Sequence, residues 1–156
     1  MKWKSFMIAT TLLFSLSHAK SQQPKLIELN ESEKAAISTM MTLDTAAITY
    51  RASFKDVGFP PTLQSMAVNP QNEAESTKEH AGLLTKEFAC PEERCVSQGY
   101  VFSYSRTKDG FTAEGRPRAY GDKSKVSLFS DQTGVIRYIT QDRAANEKDP
   151  FLPAVR

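Results

Sequence analysis

The sequence predicts an α+β domain in which one long N-terminal helix packs on an antiparallel sheet of about four strands. Three observations carry this expectation. An apolar stripe at helical spacing runs through residues 36–54, a period-two strand precedes an Asp-Gly turn at 109–110, and a second strand pair brackets residues 131–134. The helix has one apolar face and the sheet another, so stacking them buries both.

In the helix, Ala36, Met40, Leu43, Ala47, Tyr50 and Phe54 recur three or four residues apart, with Ile37, Met41 and Ile48 beside them. Asn30 is positioned to cap the first turn and Glu33 to return the hydrogen bond, an Asn form of the capping box. Gly58 and the pair Pro60-Pro61 end the helix, since neither proline can donate to its ladder. Met40, Met41 and the aromatic residues read as core filling rather than as a cofactor box. A connecting region then runs from Phe59 to about Gln98. Within it residues 62–66 read as one short helical turn. Ser76 with Glu79 reads as the cap of a second short helix bearing Ala81, Leu84 and Phe88.

The C-terminal half is strand-like. Tyr100, Phe102 and Tyr104 alternate with Val101, Ser103 and Ser105, and Phe111 to Glu114 returns after Asp109-Gly110. Pro117 directs that return strand toward a sheet edge. Val126–Ser130 and Val135–Thr140 form a second hairpin, with Gly134 supplying the positive φ of its turn. The organisation expected is a signal peptide over 1–19, a flexible leader over 20–29, a globular domain over 30–140 and a C-terminal tail over 141–156.

The signal peptide follows from Lys2 and Lys4, an apolar run from Phe6 to Leu16, and Ser17-His18-Ala19 with small residues at the positions a signal peptidase reads. Eleven apolar residues span roughly 16 Å as a helix, about half of a bilayer core, so a spanning anchor is disfavoured and none is expected to remain after cleavage. Removing residues 1–19 takes away Lys2 and Lys4 and leaves 18 basic against 18 acidic residues. A chain of neutral balance gives no general reason to expect nucleic-acid binding. With 40% hydrophobic and 24% charged residues, it is neither a disordered polyelectrolyte nor a polytopic membrane protein. Cys90 and Cys95, the two cysteines present, read as a local disulfide in an oxidising compartment. A redox dithiol usually has two intervening residues at a helix start, and a zinc site needs two further ligands.

The segments LDTAAITYRASF (43–54) and VGFPPTLQSM (57–66), followed by GYVFSY (99–104), RAYG (118–121) and SLFSDQTGVIRYI (127–139), resemble the globular region of type IV pilins and type II secretion pseudopilins. The resemblance covers roughly residues 31–140. It implies a helix on an antiparallel sheet and partners in a secretion or pilus assembly. Family members carry a strongly apolar stalk; here Leu26-Ile27-Glu28-Leu29 leads directly into Asn30-Glu-Ser-Glu-Lys34. Burying those charges in a bilayer or filament core would cost several kcal/mol apiece, so a soluble, pilin-like head without the stalk is expected.

No nucleophile elbow, phosphate loop or H-E-x-x-H motif is present, and His80 alone would have to serve any triad. No catalytic residue, metal or cofactor is assigned. Asp122 and Asp131 are the nearest oxygen donors to a calcium loop of some major pseudopilins, but the dense Asp/Gly alternation of such a loop is missing. The candidate interaction patch is the basic run Arg116, Arg118, Lys123 and Lys125 with Tyr120 inside it, which Arg106 and Arg137 would extend if their strands were neighbours. The bland reading is a solvated edge whose cations discourage strand pairing. The function expected is that of an exported, non-enzymatic protein acting through protein contacts at the cell envelope, in the periplasm or outside the cell. The alternatives are a small secreted hydrolase using paired carboxylates and a polyanion-binding module.

Overall fold

A computed structural model describes residues 28–91, 94–121 and 124–153. The expected signal peptide, the expected leader up to residue 27, Glu92, Glu93, Asp122, Lys123 and the last three residues lie outside the described residues. Helix α1 (Glu31–Ser53) is followed by the four-residue helix α2 (Leu63–Met66) and a 3-10 turn at Lys86–Phe88. Five strands complete the chain: β1 (Arg94–Ser97), β2 (Tyr100–Arg106), β3 (Phe111–Pro117), β4 (Ser127–Asp131) and β5 (Arg137–Ile139). They form one antiparallel meander in the order β1-β2-β3-β4-β5.

This sheet corrects the predicted architecture of a long helix on about four strands. The five-stranded sheet is the body of the domain, and α1, 23 residues long, packs mainly across β3 and β4. The extra strand is β1, which the sequence reading left in the connecting region. Its turn explains the miss. Ser97 pairs with Tyr100 across a two-residue loop in which both Gln98 (φ 52°) and Gly99 (φ 80°) are left-handed. That is the geometry of a type I′ hairpin, usually announced by Asn-Gly or Asp-Gly rather than Gln-Gly. Pro117 does not mark an edge either, because β3 is the middle strand. The proline is tolerated because β4 pairs with β3 only as far as Gly115, so no ladder donor is wanted at residue 117 on that side. The second short helix over 76–88 is also absent apart from its last turn. Gly82 takes a φ of 70°, and residues 81–84 instead donate to Ser65, Met66 and Ala67, so their backbone groups are satisfied by a strand-like return rather than a helical ladder.

The packing of α1 follows its stripe. Ala36, Met40, Leu43, Ala47 and Tyr50 are fully buried, whereas Met41 and Ile48 lie half exposed on the far side. Beneath the helix, inward-facing Tyr100, Phe102, Tyr104, Phe111, Ala113 and Leu128 form the sheet side of the core. Gly115 permits the close approach: a Cβ there would stand 3.0 Å from the Phe102 ring and 3.5 Å from the Met40 methyl. Glu33 fixes the helix start. Its side chain accepts from Asn30 N at 3.0 Å, closing the capping box, and also from Lys125 N at 2.9 Å. One carboxylate thus caps its own helix and pins the loop between β3 and β4.

Cys90 and Cys95 form a disulfide that ties the segment after the 3-10 turn to β1. Phe88 packs edge-on against Phe102 at 6.1 Å beside it. The bond fits an oxidising, extracytoplasmic compartment. Replacing both cysteines by Ser is expected to lower unfolding stability by about 2 kcal/mol, the chain-entropy value for a short loop, as read by urea denaturation of oxidised wild type against the double variant.

Candidate functional site

The outward face of β1–β3 is the part of the molecule that gathers charge. Alternation sends Arg94 and Val96 of β1, Val101 and Ser103 of β2, and Glu114 and Arg116 of β3 away from α1. The register then aligns them in two rows, Arg94 opposite Ser103 opposite Glu114, and Val96 opposite Val101 opposite Arg116. The chain after β3 turns back so that Arg118 N donates to Gly99 O at 2.9 Å. Tyr120 reaches over to donate from its hydroxyl to Thr140 O at 2.5 Å. These elements enclose an open cleft of about 600 Å³, closed on the far side by Asp142 and Ala144 of the C-terminal segment.

The cleft is a mixed-charge arginine site. Arg116 donates from Nη2 to Asp142 Oδ1 at 3.1 Å, but both side chains are substantially exposed (43% and 65%), so the pair contributes under about 1 kcal/mol. Its Nε is buried and has no partner. The guanidinium groups of Arg94 and Arg118 have no hydrogen-bond or ion-pair partner among the described residues. Each guanidinium presents a planar fork of donors suited to a carboxylate or phosphate. The cleft offers these two donor forks to anionic groups, with Glu114 and Asp142 limiting how much negative charge fits.

Of the candidate patch, Arg116, Arg118 and Tyr120 come together in the cleft. Lys125 does not line it; its backbone is held by Glu33 at the start of α1. Lys123 lies outside the described residues. Arg106 and Arg137 do not extend the patch. Arg106 donates to Val57 O and Phe59 O beside the C-terminal end of α1. Arg137 stacks on Phe151 at 4.2 Å and donates to Asp149 O. Sequence reasoning missed Arg94, Glu114 and Asp142. The alternation of Arg94 and Val96 around Cys95 was the available signal for the first. Nothing local to Asp142 announced its contact, because that contact depends on how residues 140–152 dock.

That docking is well braced. Arg143 forms a two-pronged ion pair with Asp149, whose carboxylate also accepts from Asn146 N. The Arg143 hydrogen bonds hold the Asp149 carboxyl below its ordinary range. Tyr138 N donates to Pro150 O and Leu152 N to Ile136 O, so residues 150–152 run along β5.

The other expected chemistries find these positions. Asp131 accepts from Thr133 N (2.8 Å) and Thr133 Oγ1 (2.6 Å), holding the β4–β5 turn. Among the described residues no three His, Cys, Asp or Glu side chains gather as a metal site. His80 is partly buried, and its Nδ1 has no partner. The carboxyl with a raised pKa, Asp44, is not in the cleft. It lies buried between α1 and β4, accepting from Ser130 Oγ at 2.6 Å while its Oδ2 has no partner. Burial, and to a lesser degree the charge of Asp131, push it up to about 6.

No family model, curated protein or solved structure matches the chain, and nothing in these comparisons identifies a pilin-like domain.

Asp44 makes stability depend on pH in a defined direction. Its pKa rises from 3.8 in the unfolded chain to about 6 when folded, so the folded state holds the proton more tightly and stability falls as pH rises between these values. The loss is on the order of 2–3 kcal/mol. Asp149 acts oppositely but only in more acid solution, since its pKa is lowered below 3.8. Urea denaturation between pH 4 and 8 is expected to show this decline in wild type and a nearly flat profile in Asp44→Asn.

Proposed function

We propose that this chain is an exported, disulfide-bonded domain that acts through protein contacts at the cell envelope, with the arginine cleft as its contact surface for an acidic segment of the partner. The observation that carries the reading is the pair of partnerless guanidinium groups, Arg94 and Arg118, at one cleft on the outer face of the sheet. The Cys90–Cys95 disulfide is consistent with a periplasmic or secreted protein. Proteins of a secretion or pilus assembly, the partner class that the motif resemblance implies, belong to the same proposal.

A protein carboxylate is favoured over a nucleic acid for an electrostatic reason. Glu114 and Asp142 stand among the arginines, so repulsion accumulates along a continuous polyanion and is least for an isolated side chain or chain terminus set against the guanidinium groups. A hydrogen-bonded guanidinium–carboxylate pair at a partly exposed site contributes about 1 kcal/mol, and two of them about tenfold or more in affinity.

The test uses a fluorescein-labelled Gly-Glu-Gly-Gly-Glu-Gly peptide and, separately, a single-stranded oligonucleotide. Saturable, salt-sensitive binding of the peptide, reduced about tenfold or more in Arg94→Ala/Arg118→Ala with the fold intact by circular dichroism, is the expected result. Equal affinity in the double variant would overturn the cleft assignment. Tighter binding of the oligonucleotide would replace the protein partner with a polyanion.

A further inference from the structure

We infer that α1 carries a second, separate interaction surface, a self-complementary face on which a second copy of this chain packs its own α1 in antiparallel orientation. Ser38, Met41, Thr42, Thr45, Ile48, Thr49 and Ala52 recur three or four residues apart and are all exposed. Between Lys34 and Arg51 the helix has a single charged residue, Asp44, and that one is buried against the sheet. Four turns of solvent-facing helix therefore carry no charge, whereas a helix face left to water ordinarily carries polar and charged residues. Met41 and Ile48 are exposed by 53% and 49%.

Two of the four hydroxyl groups on this face are already bonded within the helix. Thr42 Oγ1 donates to Ser38 O at 2.9 Å and Thr45 Oγ1 donates to Met41 O at 2.8 Å. With their donors satisfied inside the helix, these threonines can be covered without stranding a donor, and they present methyl groups outward. Small residues at 38, 42, 45, 49 and 52 leave hollows between which Met41 and Ile48 project, so the face combines knobs with holes for them.

The charges at the two ends select the occupant and its direction. Glu28 before the helix and Glu31 in its first turn are exposed, Glu31 pairing with Lys34 at 2.8 Å, and Arg51 and Lys55 are exposed at the other end. An antiparallel second copy brings each acidic end against the other's basic end, while a parallel one sets like against like. A two-fold axis near Thr45 places Met41 of each copy beside Thr49 of the other, and Ser38 beside Ala52. It also sets Lys34 near the second copy's Asp56. Such an isologous contact closes at two copies. The apolar surface continues past Met41 into a groove of about 400 Å³ completed by Val135, Phe151 and Leu152, which enlarges the area the second copy covers at each end.

Sedimentation velocity of the purified full chain over a concentration series tests the inference. A monomer–dimer equilibrium is expected, abolished by Thr45→Arg, which puts two guanidinium groups on the axis. Lys34→Glu is expected to weaken the dimer about tenfold and Asp56→Lys in the same chain to restore it; this rescue requires the antiparallel direction and would not follow from a change in folding. Thr45→Cys should cross-link to a covalent dimer under mild oxidation. A monomer at all concentrations, or a dimer indifferent to Thr45→Arg, overturns the inference; a dimer lost in Lys34→Glu and not rescued by Asp56→Lys overturns its direction. Binding of the labelled glutamate peptide at the sheet cleft reports on the other surface and is unaffected by Thr45→Arg.

Discussion

Every other feature of the domain depends on one seam, where the stripe Ala36, Met40, Leu43, Ala47 and Tyr50 meets the inner face of the sheet. All five side chains are fully buried, and truncating a leucine or methionine in such a place typically costs about 2–5 kcal/mol. The seam is narrow because Gly115 has no side chain where Phe102 and Met40 converge. It is anchored at one end by Glu33, which ties the helix start to the loop before β4. In its middle it encloses a carboxyl, Asp44, against Ser130. A group that is costly to ionise there makes the seam the pH-sensitive element of the fold.

Because the inner face of the sheet is committed to the helix, chemistry is left to the two surfaces that face away from the seam. The outer face of β1–β3 collects arginines, and the outer face of α1 sheds charge almost completely. The C-terminal segment shapes both. Its Asp142 borders the arginine cleft, and its Phe151 and Leu152 extend the apolar surface beside Met41. The Arg143–Asp149 pair, joined by Asn146 N, gives that segment a defined path. The proposed anionic contact and the proposed helix–helix contact lie on opposite sides of one domain, so neither would compete with the other for surface.

Some of this was legible in the chain and some was not, and the division follows sequence separation. The capping box of Asn30 and Glu33, the buried stripe, the short helical turn at 62–66 and the β4–β5 turn at Gly134 are local patterns, and they stand where the residues put them. The expected sheet was a strand short because Gln98-Gly99 makes a tight turn without the usual asparagine or aspartate, and Pro117 was given an edge role that the short reach of β4 makes unnecessary. Ser76 and Glu79 looked like a helix start. Their segment follows a different course because residues 81–84 find hydrogen-bond partners in residues 65–67. The basic run was half a site: Arg116, Arg118 and Tyr120 converge, Lys125 turns to the helix side, and Arg94 arrives from a strand that the pattern did not reveal.

By itself the amino-acid sequence determined the helix, its cap, the alternation that gives each strand two faces, and the pairing of two nearby cysteines, because each needs only neighbours a few residues away. Tertiary structure alone decided which charges share a surface. Strand register joins residue 94 to residues 103 and 114, and the docked C-terminal segment brings residue 142 to residue 116. Those distances along the chain are closed by hydrophobic burial and backbone hydrogen bonding that no local window records, and burial likewise turned Asp44 from an ordinary acid into one that titrates at about 6.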